Sequence, residues 1–187
     1  MLINNNEYFE ILNDIKVRIK TAQYKAVLGA NQEQILLYWN IGKIIISNTK
    51  YGTKFIENLA KDIKLDFPES KGYSIRNLKY MRRFAEFVDD IEKVHTLSAL
   101  LSWSHNKYLF DKTKILDEYL WYSKQTIENG WSLSVLEYHI DTKAYQRQAI
   151  AEKTTNYERL LPSPFSELAE ETLKNPYVFD FVEIRKG

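Results

Sequence analysis

A cluster of cations lies between residues 71 and 83, in a chain whose net charge is only +1. These thirteen residues contain no anion, and their five cations are Lys71, Arg76, Lys79, Arg82 and Arg83. Lysine and arginine side chains bind phosphate groups, and contacts with phosphate supply much of the affinity of proteins for DNA. Because the overall charge is close to zero, any nucleic-acid site must be local, and this segment is the candidate.

The cation cluster is expected to lie on a helix over about residues 74–88. Ser74 is a typical N-terminal cap, and Gly72 can form the turn that precedes it. At ~100° per residue, Arg76, Lys79 and Arg83 share one arc, flanked by Tyr80 and Phe87. The opposite, core-facing side would carry Ile75, Leu78, Met81, Ala85 and Val88.

This pattern also has a plainer interpretation. Most amphipathic helices expose a charged face to water, and five cations can simply form such a face. Cations near the start of a helix are mildly unfavourable with its dipole, which favours a functional role.

No residue pattern indicates catalysis or metal binding. The three histidines, His95, His105 and His139, have no partner at a metal-ligand spacing, and the chain contains no cysteine. No phosphate-binding glycine loop is present, and Ser102 or Ser104 beside His105 is not a catalytic signature. We expect His105 to form local hydrogen bonds and Trp103 to anchor the core. The chain is therefore predicted to need no cofactor or metal and not to be an enzyme itself.

The predicted elements are mainly α-helices, and they include a helix-turn-helix or winged-helix-like unit. The periodicity predicts a helix over residues 7–28, a second one capped by Asn31 that ends near Gly52, and a third from about residue 53 to Phe67-Pro68. The third helix would support the basic helix, which would act as the recognition helix.

The remaining helices are shorter, and the chain is predicted to form a helical domain over residues 1–151. Short helices are expected within 94–110, with Ser102 or Ser104 as a cap. A further helix over 113–128 would end at Asn129-Gly130, and Ser132 would cap the next one.

The C-terminal part differs in pattern from the rest of the chain. Residues 152–164 are predicted to be a linker, and residues 165–187 the truncated start of another domain, with a short helix at 165–174. Residues 175–184 predict a strand that has no sheet to join.

Composition indicates a globular protein. Of the 187 residues, 44% are hydrophobic and 27% are charged, a balance that can support a core. The N-terminus lacks the pattern of a signal peptide, and no apolar run approaches the ~20 residues that span a membrane. We expect a soluble, cytoplasmic protein with no membrane partner.

Several segments, taken in order, resemble the N-terminal domain of the YhcG-type family of bacterial proteins. They are Tyr38 to Gly42, Tyr51-Gly52, Phe67-Pro68, Gly72 to Arg82, Leu101 to His105, Glu128 to Ser132 and Tyr145 to Arg147. The resemblance implies a helical, winged-helix-like DNA-binding module that precedes a PD-(D/E)XK nuclease domain. The junction to that domain resembles Leu161 to Pro164 and Asn175 to Phe181, and no nuclease motif follows them in this chain.

Two functions are compatible with these observations. The first is a non-catalytic DNA-binding or targeting domain of a nuclease-family protein, with Lys71, Arg76, Lys79, Tyr80, Arg82 and Arg83 as DNA contacts. Its partners would be DNA and a nuclease, either as a C-terminal domain or as a separate subunit. The alternative is a module for protein interaction or homo-oligomerisation, in which aromatic residues and the terminal strand form the contacts.

Overall fold

The computed structural model describes residues 5–48, 52 and 54–152, and this part of the chain is mainly helical, as predicted. It contains a 3₁₀ turn over Ser98–Leu100 and helices α1 (Asn5–Ser47), α2 (Phe55–Asp66), α3 (Ile75–Phe87), α4 (Ile91–Thr96), α5 (Trp103–Lys112), α6 (Leu116–Asn129), α7 (Leu133–Asp141) and α8 (Ala144–Glu152). No strand occurs among these described residues, so they provide no wing for a winged helix. The predicted linker from residue 153 onward, the helix at 165–174 and the strand at 175–184 lie outside them.

Helix α1 replaces the two N-terminal helices that the sequence predicts. The predicted cap at Asn31 is wrong, because this residue lies within the helix and is completely buried. Its amide nitrogen donates hydrogen bonds to the carbonyl oxygens of Ala99 (3.0 Å) and Leu101 (2.9 Å). These bonds satisfy carbonyls at the 3₁₀ turn, so Asn31 serves tertiary packing and not helix termination.

The second half of α1 packs most extensively against α3, and the two backbones come very close at Gly42. A Cβ atom placed on Gly42 would lie 2.1 Å from the Met81 carbonyl oxygen and 2.8 Å from Ala85 Cβ. Nearby, the indole nitrogen of Trp39 donates a 2.6 Å hydrogen bond to the carbonyl oxygen of Val88. This bond occupies a carbonyl at the end of α3, where the helix itself offers no donor.

The core-facing side of α3 is largely as predicted, with two corrections. Its buried apolar residues are Leu78, Met81, Phe84, Ala85 and the C-terminal flanking residue Val88. Ile75 was expected in the core but is 40% exposed, because it faces a groove beside α2. Phe87 was expected beside the cations but is half-buried, because the aromatic rings of Phe110 and Tyr119 pack against it.

The predicted helix caps are confirmed at several positions. Ser74, Ser102 and Ser132 each accept a hydrogen bond from a backbone N–H in the first turn of the helix that follows. Gly130 ends α6 with a φ of 60°, a left-handed conformation that glycine adopts without strain. Helix α2 ends at Asp66, immediately before Phe67-Pro68, as predicted. Helices α2 and α3 are therefore consecutive and in contact.

Trp103 is completely buried at the centre of an aromatic core, as predicted. Its ring packs against Tyr38 from α1, Phe84 from α3 and Phe110 from α5. The core thereby joins three helices around one side chain. Over the part of the chain that is described, no helix combines the length and hydropathy needed to cross a membrane.

We predict opposite effects of alanine at two glycines of α1. Gly42→Ala should lower the free energy of unfolding by about 1–3 kcal/mol or more, because the new methyl group collides with the α3 backbone. Gly29→Ala is the matched control, since a Cβ at Gly29 meets nothing within 4 Å. It should raise the free energy of unfolding by up to ~1 kcal/mol through helix propensity. Chemical denaturation measures both, and equal effects would contradict a close contact at Gly42.

Candidate nucleic-acid interface

The start of α3 is anchored to the core by Asn77. The side-chain amide of Asn77 donates a 2.5 Å hydrogen bond to the carbonyl oxygen of Gly72, which fixes the preceding turn. Its amide oxygen accepts a 2.7 Å hydrogen bond from the indole nitrogen of Trp103. The backbone N–H of Asn77 lies 3.3 Å from the Ser74 cap oxygen. The cations at the start of α3 therefore project from a rigid base.

The side chain of Tyr80 is the centre of a charged cluster on the exposed side of α3. The Arg76 guanidinium lies 5.9 Å from the centre of the Tyr80 ring, and the Lys107 ammonium lies 5.8 Å from it. Both distances allow cation–π attraction. We call Arg76, Tyr80, Arg83, Lys107 and Asp111 the Tyr80 cluster, which carries three cations and one anion.

Asp111 neutralises part of the predicted basic surface. Its carboxylate accepts a hydrogen bond from the Tyr80 hydroxyl at 2.6 Å and one from Arg83 Nη1 at 2.6 Å. Arg83 also donates to the carbonyl oxygen of Phe110 at the end of α5. These bonds hold the Arg83 side chain against α5, although it remains 47% exposed.

The other predicted site residues divide along α3. Arg82 forms a 2.8 Å ion pair with Glu86 one turn later. Lys79 is exposed on the first half of the helix, and Lys71 is exposed before it. Acids therefore compensate the two cations in the C-terminal half of α3, Glu86 from α3 itself and Asp111 from α5.

A groove between α2 and the start of α3 extends this basic region. It has a volume of about 520 Å³, and its cationic lining residues are Lys61, Lys64 and Lys71. Glu57 is the acid in the lining, and Ile63, Phe67 and Ile75 provide apolar walls. The N-terminal end of α3 borders this groove, and the helix dipole favours negative charge at that end.

Sequence reasoning missed four residues of this surface. Lys61 and Lys64 lie on α2, and Lys107 and Asp111 lie on α5. The two α2 lysines are three residues apart and could have been found by helical spacing. Nothing in the sequence links Lys107 or Asp111 to Tyr80, because residues 27 and 31 positions apart meet only through tertiary packing.

Two of the three histidines, His105 and His139, pack against other parts of the protein, whereas His95 is exposed. His105 is buried, and its ring nitrogens lie 2.8 Å from Ser102 Oγ and 3.1 Å from the Trp131 carbonyl oxygen, which confirms the predicted local bonding. His139 stacks on Trp131 at 3.8 Å, and burial lowers its pKa. Within the described residues, no group of three or more histidine or acidic side chains could hold a metal ion.

The hydrogen bond to Asp111 raises the pKa of Tyr80 above its usual 10.0. Burial adds to this increase, while a hydrogen bond with Arg76 opposes it. The Tyr80 phenol therefore remains a neutral donor at physiological pH. The pKa of Tyr80 is higher in the folded state than in the unfolded state. The surroundings of the neutral phenol therefore contribute their full stabilisation below pH 10.0, and this stabilisation is lost as the pH rises through the folded-state pKa.

We predict that Asp111→Asn lowers the pKa of Tyr80, because the neutral amide lacks the negative charge that disfavours the phenolate, and its nitrogen can donate to the phenolate. NMR of ¹³C-labelled tyrosine, with Tyr80 assigned through Tyr80→Phe, would measure the midpoint. Tyr108 serves as the internal control, since its pKa is raised by burial and by Asp141 and Glu137. A Tyr80 midpoint that does not change in Asp111→Asn would contradict the hydrogen bond.

Comparison with known proteins identifies the family. The family model of the DUF1016 N-terminal domain matches residues 14–147. The chain is also similar to the protein named "Putative nuclease YhcG" of Escherichia coli (strain K12), with 24% identity over 214 residues. That alignment covers 95% of the chain but 56% of the relative, so the chain spans about half the length of the relative. No solved structure matches the chain. Since the family model covers well over half of the chain, the chain belongs to the DUF1016 N-terminal domain family.

Proposed function

We propose that this chain is a DNA-binding or targeting domain of a nuclease-family protein and that it does not cleave DNA itself. The main support is two groups of cations that both adjoin α3, namely the lysines of the groove beside α2 and the cations around Tyr80, in a chain with a net charge of +1. A net charge of this size, if dispersed over the whole surface, would not attract a polyanion. Cations gathered beside a helix N-terminus would attract one.

In this proposal, the first half of α3 approaches the DNA. Arg76, Lys79 and Lys107 contact phosphates or groove edges, and Lys71 with the α2 lysines contacts the adjoining backbone. Helix α2 then supports α3 in the manner of a helix-turn-helix, with α3 as the recognition helix. Arg82 and Arg83 have a secondary role, because Glu86 and Asp111 already bind them.

Cleavage would belong to a PD-(D/E)XK nuclease domain, in the same protein or in a separate subunit. The name of the E. coli relative supports this association with a nuclease. A nuclease of that type holds a divalent metal with carboxylates. The domain described here would bring DNA to that centre in a cytoplasmic protein.

We predict that replacing Arg76, Lys79 and Lys107 together by alanine weakens DNA binding and its salt dependence. Each lost phosphate contact should reduce the log–log slope of affinity against salt by ~0.9 on duplex DNA. Fluorescence anisotropy with duplex, branched and single-stranded DNA measures this slope. Lys124→Ala is the control, since Lys124 is an exposed cation that pairs with Glu128 on α6. A slope unchanged in the triple variant, with intact helical circular dichroism, would remove this surface from the interface.

We predict the opposite effect for Asp111→Asn. Removing the carboxylate removes the ion pair of Arg83 and makes the Tyr80 cluster more positive, so DNA affinity should rise and the salt slope should steepen by up to ~0.9. Glu128→Gln is the matched control, because Glu128 has a similar exposure and also pairs with a cation. Equal effects of the two variants would indicate that only net charge matters and would contradict a site at Tyr80.

A further inference from the structure

The first part of α1, residues 8–26, has no buried residue, although it is rich in apolar side chains. Burial of α1 begins only at Asn31. Exposed apolar side chains are frequent here, and they are Tyr8, Phe9, Ile11, Ile15, Val17 and Ile19. A helical segment with many β-branched residues gains little stability from helix propensity alone, so packing of this surface against a partner would stabilise it.

Part of this apolar surface follows a heptad repeat. Counting along the chain, apolar residues recur in steps of four and three at Tyr8, Leu12, Ile15, Ile19, Ala22 and Ala26. We call these six residues the α1 seam. A 3.5-residue period places the seam on one stripe of the helix, as in two-stranded coiled coils. Val17 lies on the opposite side of the helix, about 175° from the stripe.

The side-chain volumes of the α1 seam are complementary to a reversed copy of the same seam. The large residues Tyr8 and Leu12 lie in its first half, and the small residues Ala22 and Ala26 lie in its second half. Antiparallel pairing centred at residue 17 places Tyr8 opposite Ala26 and Leu12 opposite Ala22, with Ile15 opposite Ile19. Parallel pairing would instead place alanine opposite alanine and leave gaps.

The charges along the first part of α1 show the same polarity. Residues 7–14 contain three anions and no cation, namely Glu7, Glu10 and Asp14. Residues 16–25 contain four cations and no anion, namely Lys16, Arg18, Lys20 and Lys25. Antiparallel pairing brings the acidic half of each helix beside the basic half of the other. Parallel pairing would bring like charges together.

Arg18 is one of the two cations closest to the centre of such a pair, the other being Lys16. It forms a 2.7 Å ion pair with Asp14 of its own helix. This pair reduces the repulsion between the two Arg18 side chains near the symmetry axis. The overlap ends before Asn31, so the buried portion of each domain stays outside the contact.

We propose that two copies of this chain pair through residues 8–26 of α1 as an antiparallel, two-fold symmetric helix pair. The same surface serves both copies, which is the usual arrangement of a two-fold dimer. The seam is only about 27 Å long, so the dimer is expected to be reversible. This pairing does not depend on whether the Tyr80 cluster binds DNA.

Sedimentation equilibrium of the full chain, over about 1–100 µM, tests the pairing. We expect a concentration-dependent dimer, and Ile19→Asp should raise its dissociation constant at least about tenfold. Val17→Asp is the matched control, because Val17 is on the same helix with the same helix-propensity cost and is 54% exposed, against 52% for Ile19. It should change the constant by less than about twofold.

A monomer over the whole concentration range would overturn the proposal. It would do so both if a different partner covers the seam and if residues 153–187 cover it. Equal weakening by Ile19→Asp and Val17→Asp would also overturn it.

Spin-label distances test the direction of pairing. The chain has no native cysteine, so Glu10→Cys and Val17→Cys each give one label, and both positions point away from the seam. Antiparallel pairing offsets the two residues 10 by about 21 Å along the helix axis and the two residues 17 by almost nothing. The distance between labels at residue 10 should therefore be clearly the longer one. Equal distances at the two positions would indicate parallel pairing and overturn the proposed geometry.

Discussion

Helices α1 and α3 meet at Gly42, and the position of the basic surface depends on that contact. The space beside Gly42 is filled by the backbone of α3 at Met81 and by the methyl group of Ala85. At such a short distance, there is no room between the two helices for a side chain at position 42. The contact sets which part of α1 covers the buried side of α3, and the opposite side presents Arg76, Lys79 and Tyr80 to solvent.

Buried polar side chains complete this arrangement by tying loops to the helices. Asn77 connects the turn at Gly72 with Trp103, and Asn31 connects α1 with the carbonyl groups of Ala99 and Leu101. A buried carbonyl without a donor costs free energy, so each amide favours one placement of its loop. Asn77 thereby holds the start of α3, which carries Arg76 and Lys79.

The charges on α3 are unequal in their availability because of neighbouring acids. Arg82 and Arg83 interact with Glu86 and Asp111, whereas the groove beside the start of α3 collects lysines from α2. A count of the five cations between residues 71 and 83 treats them all as equivalent. Their partners make the N-terminal end the more attractive one for an anion, and the helix dipole acts in the same direction.

Local rules were sufficient for several helix boundaries after α1 and for most of the buried side of α3. Ser74, Ser102, Ser132 and Gly130 act through neighbouring backbone groups, so a short stretch of sequence predicts their roles. The mainly helical class and the family also followed from sequence patterns.

Residues far apart in sequence decided the rest. Asn31 looks like a cap, but carbonyls some seventy positions away bind its amide. Ile75 is exposed although its spacing predicts burial, because α2 leaves a groove beside it. Phe87 is half-buried although its spacing predicts exposure, because α5 and α6 cover it. The Tyr80 cluster joins α3 to Lys107 and Asp111, and only the packing of α5 on α3 brings them together. Periodicity specifies the faces of a helix, but which element covers each face depends on long-range packing, and that packing gave Arg83 its partner Asp111.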